Sequence, residues 1–192
     1  MSTSSASPLA VPLRLSGASL PMKAAFVVLG SLVLAASSWI KVPMYPVPMT
    51  MQTYAVLLVG ALCGWRVGLA TVMAWLGQAF VGLPMLANGA AGPLQFVGPT
   101  AGYIAAFPLA AVLVGFLAER GWTAGPVRSF AVMMVGHALI LALGWAWLSG
   151  IIGAEKALAA GVMPFLWGSV LKSALVVATV EAVRRGAWRR SA

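Results

Sequence analysis

Residues 53–82 read TYAVLLVGALCGWRVGLATVMAWLGQAFVG, and the way this run crosses a membrane decides the fold. As one helix it would be about 45 Å long at 1.5 Å per residue, against a hydrocarbon core of about 30 Å. It would also carry Arg66 in its middle, where a charge is expensive. Cys63-Gly64-Trp65-Arg66 therefore reads as a tight turn joining two shorter crossings, about 53–64 and 67–82.

Outward from this turn the chain repeats the same theme. Further apolar runs cover about 23–40, 99–118, 129–150 and 162–183. The 192 residues are 61% hydrophobic and 8% charged, where a soluble domain carries about 25% charged residues. The composition predicts an all-α integral membrane protein with six transmembrane helices. Residues 21–185 form that domain, 1–20 a mobile cytoplasmic N-terminal tail and 186–192 a basic cytoplasmic tail.

Charge placement tests the topology. Six crossings put both termini on one side, together with Arg14, Lys23, Arg66, Arg120, Arg128, Arg184, Arg185, Arg189 and Arg190. Only Lys41 and Lys156 fall on the other side, so the positive-inside rule makes both termini cytoplasmic in a cell membrane, one of bacterial type. The net charge of +9 flanks apolar runs instead of forming one soluble face, which speaks against nucleic acid.

The outward connections are 41–52, 83–98 and 150–161. The first reads KVPMYPVPMTMQ and is stiffened by three prolines; the second reads LPMLANGAAGPLQFVG. Both are too apolar for free loops and too broken for helices. Non-helical backbone at membrane depth survives where it is buried in protein or lines a cavity. Two such segments on one side predict a lidded pocket opening outward, with Met44, Tyr45 and Met49 as the underside of the first lid.

Lys172 is the charge out of place, near the outer third of the last apolar run. An intramembrane lysine either snorkels to the interface or meets a ligand. The chain has no Asp, so a ligand carboxylate is a candidate counter-charge. Ser169 lies three residues earlier on the same helical face and either enters the pocket or bonds its own backbone. Gln52, Asn88 and Gln95 offer amides that suit a urea-like group or tie down loops. Tyr103 and Trp167 are the aromatics placed nearest the pocket, and Gln78 reads as a helix–helix hydrogen bond. Ser31 and Ala35 form a small-residue pair on the first helix, for a partner helix or for internal packing.

Other chemistries find no residues. One His, one Cys and no Asp assemble neither a catalytic triad nor a usual metal site, so no enzyme, metal or cofactor is expected. His137 reads as a packed, hydrogen-bonded side chain whose loss leaves ligand binding unchanged. There is no phosphate-binding GxxxxGK[ST] loop, so any ATPase is a separate chain.

Four stretches occur in the order found in one family: VPMYPVPMTMQTYAVLLVGALCG (42–64), GLPMLANGAAGP (82–93), GPTAGYIAAF (98–107) and PFLWGSVLK (164–172). They resemble the BioY biotin-uptake proteins, the substrate-binding S components of energy-coupling-factor (ECF) vitamin transporters. The resemblance implies a six-helix S-component fold and a biotin pocket near the outer side. It also implies two kinds of partner, a transmembrane coupling protein and a pair of cytoplasmic ATPase subunits. Ser31 and Ala35 would face the coupling protein. The family's last-helix motif resembles PFxxGDxxK, and here Ser169 stands at the acid while Lys172 is kept. The expected function is high-affinity biotin capture and uptake. An S component for another small vitamin or a biotin precursor, or a carrier working without an ATPase, are the alternatives.

Overall fold

The computed structural model describes Leu13 and residues 15–191, with backbone alone at Ser16 and 187–191. Arg14 and the side chains of Arg189 and Arg190 lie outside the described residues. The elements are α1 (Leu20–Trp39), a two-stranded ribbon of β1 (Lys41–Val42) and β2 (Met49–Thr50), α2 (Gln52–Phe80), α3 (Ala101–Glu119), α4 (Pro126–Ile152), α5 (Ala154–Gly161) and α6 (Phe165–Ser191). Short 3-10 turns at Leu15–Gly17, Ala87–Gly89 and Pro93–Phe96 complete the chain. Five helices, α1 to α4 and α6, are long and apolar enough to span a bilayer. The protein is a multi-pass membrane protein.

The decisive run is broken where its glycine falls. Gly64 has φ 79° and ψ 174°, outside helical space, and only glycine adopts that pair without strain. The two halves of α2, 52–63 and 65–80, fold back on each other. A Cβ added at Gly68 would lie 3.2 Å from the Gly60 Cα, a proximity impossible along one straight helix. Trp65 N–H donates to the Glu119 carboxylate at 3.2 Å, which ties this turn to the end of α3. Small residues then let helices touch backbone to backbone. Gly60 abuts the Ala111 backbone and Gly115 abuts that of Trp65.

Contacts gather four chain segments at this one end. Leu13 N–H donates to the Leu62 carbonyl at 3.3 Å, and Leu15 is buried. The segment expected as a mobile tail is thus docked from residue 13; residues 1–12 lie outside the described residues. Arg184 donates to the Thr123 carbonyl at 2.6 Å and also pairs with Glu181. α6 continues as helix to Ser191, where a separate basic tail from residue 186 was expected.

The opposite end carries the non-helical connections. The first half of α2 rises only about 18 Å, roughly 12 Å less than a hydrocarbon core. The 41–50 ribbon and the 83–98 segment cover that end. Lys41 pairs with Thr50 and Val42 with Met49. Residues 83–98 are held by their neighbours: Met85 C=O accepts from Trp75 Nε1 and Ser38 Oγ, and Gly98 C=O accepts from Trp147 Nε1. The third connection differs from expectation. Residues 150–161 are not an open loop, because α4 runs to Ile152 and α5 follows after a glycine at φ 85°. Tyr103 Oη donates to the Gly161 carbonyl at 2.7 Å and anchors the end of α5.

Candidate functional site

Beneath the two covering segments lies a cavity of about 280 Å³. The 41–50 ribbon and residues 86–100 roof it, and α2, α3, α4 and α6 wall it. Helical spacing explains the α6 wall. Phe165, Ser169 and Lys172 follow at i, i+4 and i+7, so one face of the helix presents all three. Apolar surface comes from Val47, Ile104, Phe107, Ile140 and Phe165. Among the described residues, Lys172 is the one charged side chain in the lining.

Lys172 does not snorkel. It is only 9% exposed, and its Nζ donates to the Thr50 carbonyl at 2.6 Å and to Thr53 Oγ1 at 3.3 Å. An ammonium carries three N–H donors. Two are spent on neutral oxygens, and no carboxylate lines the cavity.

The other expected site residues divide. Ser169 is buried in the wall, and its Oγ donates to the Phe165 carbonyl at 2.9 Å, one turn back. Gln52 also lines the cavity, yet its amide is committed. Nε2 donates to Ser38 Oγ at 2.9 Å, and Oε1 accepts from Thr50 Oγ1 at 3.0 Å. Asn88 lies exposed at the mouth in the left-handed region at φ 64°, a conformation asparagine tolerates. Gln95 lines the same rim, and Tyr103 lines the wall. The structure does not bring Tyr45 or Trp167 into the cavity. They are 95% and 77% exposed. In the ribbon it is Pro46, Val47 and Pro48 that face inward. Met44 and Met49 pack against the core, Met49 beside Gly168, and do not line the cavity. Trp167 sits two residues after Phe165, about 200° around the helix from the cavity face.

Of the proposed partner-contact pair, Ser31 is completely buried inside the chain. It donates to the Val28 carbonyl and accepts from Gln78 Nε2, the helix–helix bond expected of Gln78. Ala35 is half-buried against the core. The face of α1 that remains exposed carries Val28, Leu29, Leu32 and Val33 instead.

Sequence reasoning missed much of the cavity lining, including the polar residues Thr50, Thr53 and His137. His137 is buried and hydrogen-bonded as expected, but it also reaches the cavity. Its Nε2 lies 3.3 Å from Thr53 Oγ1, its Nδ1 3.1 Å from the Met133 carbonyl and 3.0 Å from Ser173 Oγ. The spacing of His137, Ile140 and Leu141 on α4 was the available signal; a lone histidine on an apolar helix concealed it.

Comparison with known proteins agrees with this arrangement. Residues 10–189 match the BioY family model. The probable biotin transporter BioY of Pyrococcus horikoshii is 34% identical over 163 residues, 83% of this chain and 96% of that protein. The biotin transporter BioY of Thermotoga maritima is 36% identical over 152 residues, 77% and 85% of the two chains. A crystal structure of the S-component for biotin from an ECF-type ABC transporter superposes with a TM-score of 0.77 at 26% identity, covering 86% of this chain and 92% of that one. The family match runs through both covering loops and into the last turn of α6, and the chain belongs to the BioY family.

Proposed function

We propose that this protein captures biotin at the outer face of a bacterial cytoplasmic membrane and serves as the S component of an ECF-type transporter. The observation that carries the reading is the buried Lys172 ammonium, with one donor unspent, in a cavity otherwise lined by neutral side chains, apolar and polar, and by no acid. Biotin has a flat ureido ring, an apolar thioether ring and a carboxylate tail. The carboxylate supplies the missing counter-charge, the apolar walls take the thioether ring, and Asn88 and Gln95 offer amides for the ureido group. Ser169 cannot act as a charged acceptor, so the ureido N–H groups fall to these rim amides. Biotin is cargo here, and no cofactor takes part.

The fold-back at Gly64 makes six passes of the five apolar helices and leaves both termini on the arginine-rich, cytoplasmic side. The ribbon and the 83–98 segment close over the ligand. Release follows rearrangement driven by a coupling protein and paired ATPases, since this chain has no nucleotide-binding motif. The exposed aliphatic face of α1 is where the coupling protein would pack, in place of Ser31.

Native mass spectrometry of the protein purified without added ligand tests the reading. The expected spectrum contains a bound species of biotin's mass. A protein that takes up no biotin by calorimetry, yet binds an unrelated vitamin in a competition series, overturns it.

A further inference from the structure

We infer that Thr53 and His137 are positioning residues that aim the Lys172 ammonium into the cavity and so set selectivity for a charged ligand end. The inference rests on the biotin reading above and adds two residues that act through Lys172. The hydrogen-bond directions are set by the His137 tautomer, taken as the one with its proton on Nδ1. The Met133 carbonyl, 3.1 Å away, can then accept it. Ser173 Oγ, at 3.0 Å, shares that proton. In this tautomer Nε2 presents a lone pair, and Thr53 donates its single hydroxyl proton across 3.3 Å. With its proton committed, the Thr53 oxygen faces Lys172 as an acceptor at 3.3 Å.

The Thr50 carbonyl holds Nζ from a second direction at 2.6 Å. Two fixed acceptors leave the third N–H of the ammonium one direction to point. Gln52, another amide in the lining, is engaged with Thr50 and Ser38. His137 thus acts at one remove: it removes the freedom of the Thr53 hydroxyl to turn its proton toward the ammonium. Thr53 is half-buried in the first turn of α2.

The test compares biotin with biotin methyl ester, which keeps both rings and loses the charge, by calorimetry on purified full-length protein. Wild type is expected to prefer biotin. Thr53→Val lowers biotin affinity roughly tenfold and leaves ester affinity unchanged, so the preference collapses. Thr53→Ser, which keeps the hydroxyl, restores it. His137→Leu moves the preference in the same direction, and His137→Gln, which retains an acceptor, moves it less. Equal loss for both ligands in Thr53→Val, or no loss for either, overturns the positioning role while the biotin reading stands. Wild type that binds neither ligand overturns both.

Discussion

The two ends of this helical bundle treat buried polar groups in opposite ways. At the Gly64 end the carboxylates of Glu119 and Glu181 are matched to donors, although Arg184 Nε there is buried without a partner among the described residues. Glu119 accepts from Trp65 N–H at the Gly64 turn, and Glu181 pairs with Arg184, which also reaches the Thr123 carbonyl. At the cavity end the central charge is left partly unmatched. Lys172 meets only neutral oxygens, and the Asn88 amide makes no hydrogen bond to protein among the described residues. Matched groups hold turns and helix ends together. A cation with a donor to spare, buried beside a cavity, is costly to the empty protein and is relieved by a ligand.

Substitutions at the two ends sharpen the contrast. The largest effect is expected from Lys172→Met, which removes the charge and keeps the volume. Biotin affinity falls by about 3 kcal/mol, roughly a hundredfold, while the melting temperature of the ligand-free protein in detergent does not fall. A hundredfold loss accompanied by unfolding would mean that the lysine belongs with the structural end. Gly64→Ala should show the reverse. Its φ of 79° strains any side chain, and the added Cβ runs into the Glu119 carboxylate. A loss of about 1–3 kcal/mol in stability, read by thermal unfolding, is expected with unchanged biotin affinity in the folded fraction.

Asn88→Gly keeps the left-handed backbone accessible and removes only the amide. It should weaken biotin binding by about 1 kcal/mol, under tenfold, with no change in melting. The smallest effects belong to Tyr45→Ala and Trp167→Ala, which should leave calorimetric affinity within twofold. A large loss at either would show that a lid closes far enough to bring these exposed aromatics onto the ligand.

Much of the architecture was legible because membranes impose strong rules. The break at Gly64 followed from run length and the misplaced Arg66, and the backbone turns there. The two covering segments followed from prolines and glycines at membrane depth. The α5 helix was not legible: eight residues with a glycine at each boundary resemble a loop until Tyr103 and Trp145 hold the carbonyls of Gly161 and Ala154. The cavity lining was legible in its charge and in Tyr103, and not in Tyr45 or Trp167. Trp167 lay within reach of helical periodicity, since Phe165, Ser169 and Lys172 define a face that excludes it. Tyr45 did not, because side-chain direction in a two-residue ribbon depends on register.

The sequence by itself determined the solvent, the family and the one charge that cannot be ignored. Hydropathy, charge asymmetry and an isolated lysine are local quantities, and they survive without knowing what packs where. Tertiary structure alone decided what each polar group bonds. Ser31 turned inward to Gln78, Gln52 was spent on Ser38 and Thr50, and Thr53 met both Lys172 and His137. Apart from the local Gln52–Thr50 bond, those partners lie 14 to 119 residues apart along the chain. Only the packing of α1, α2, α4 and α6 brings them within hydrogen-bond reach, and only there do three donors on one ammonium become two spent and one available.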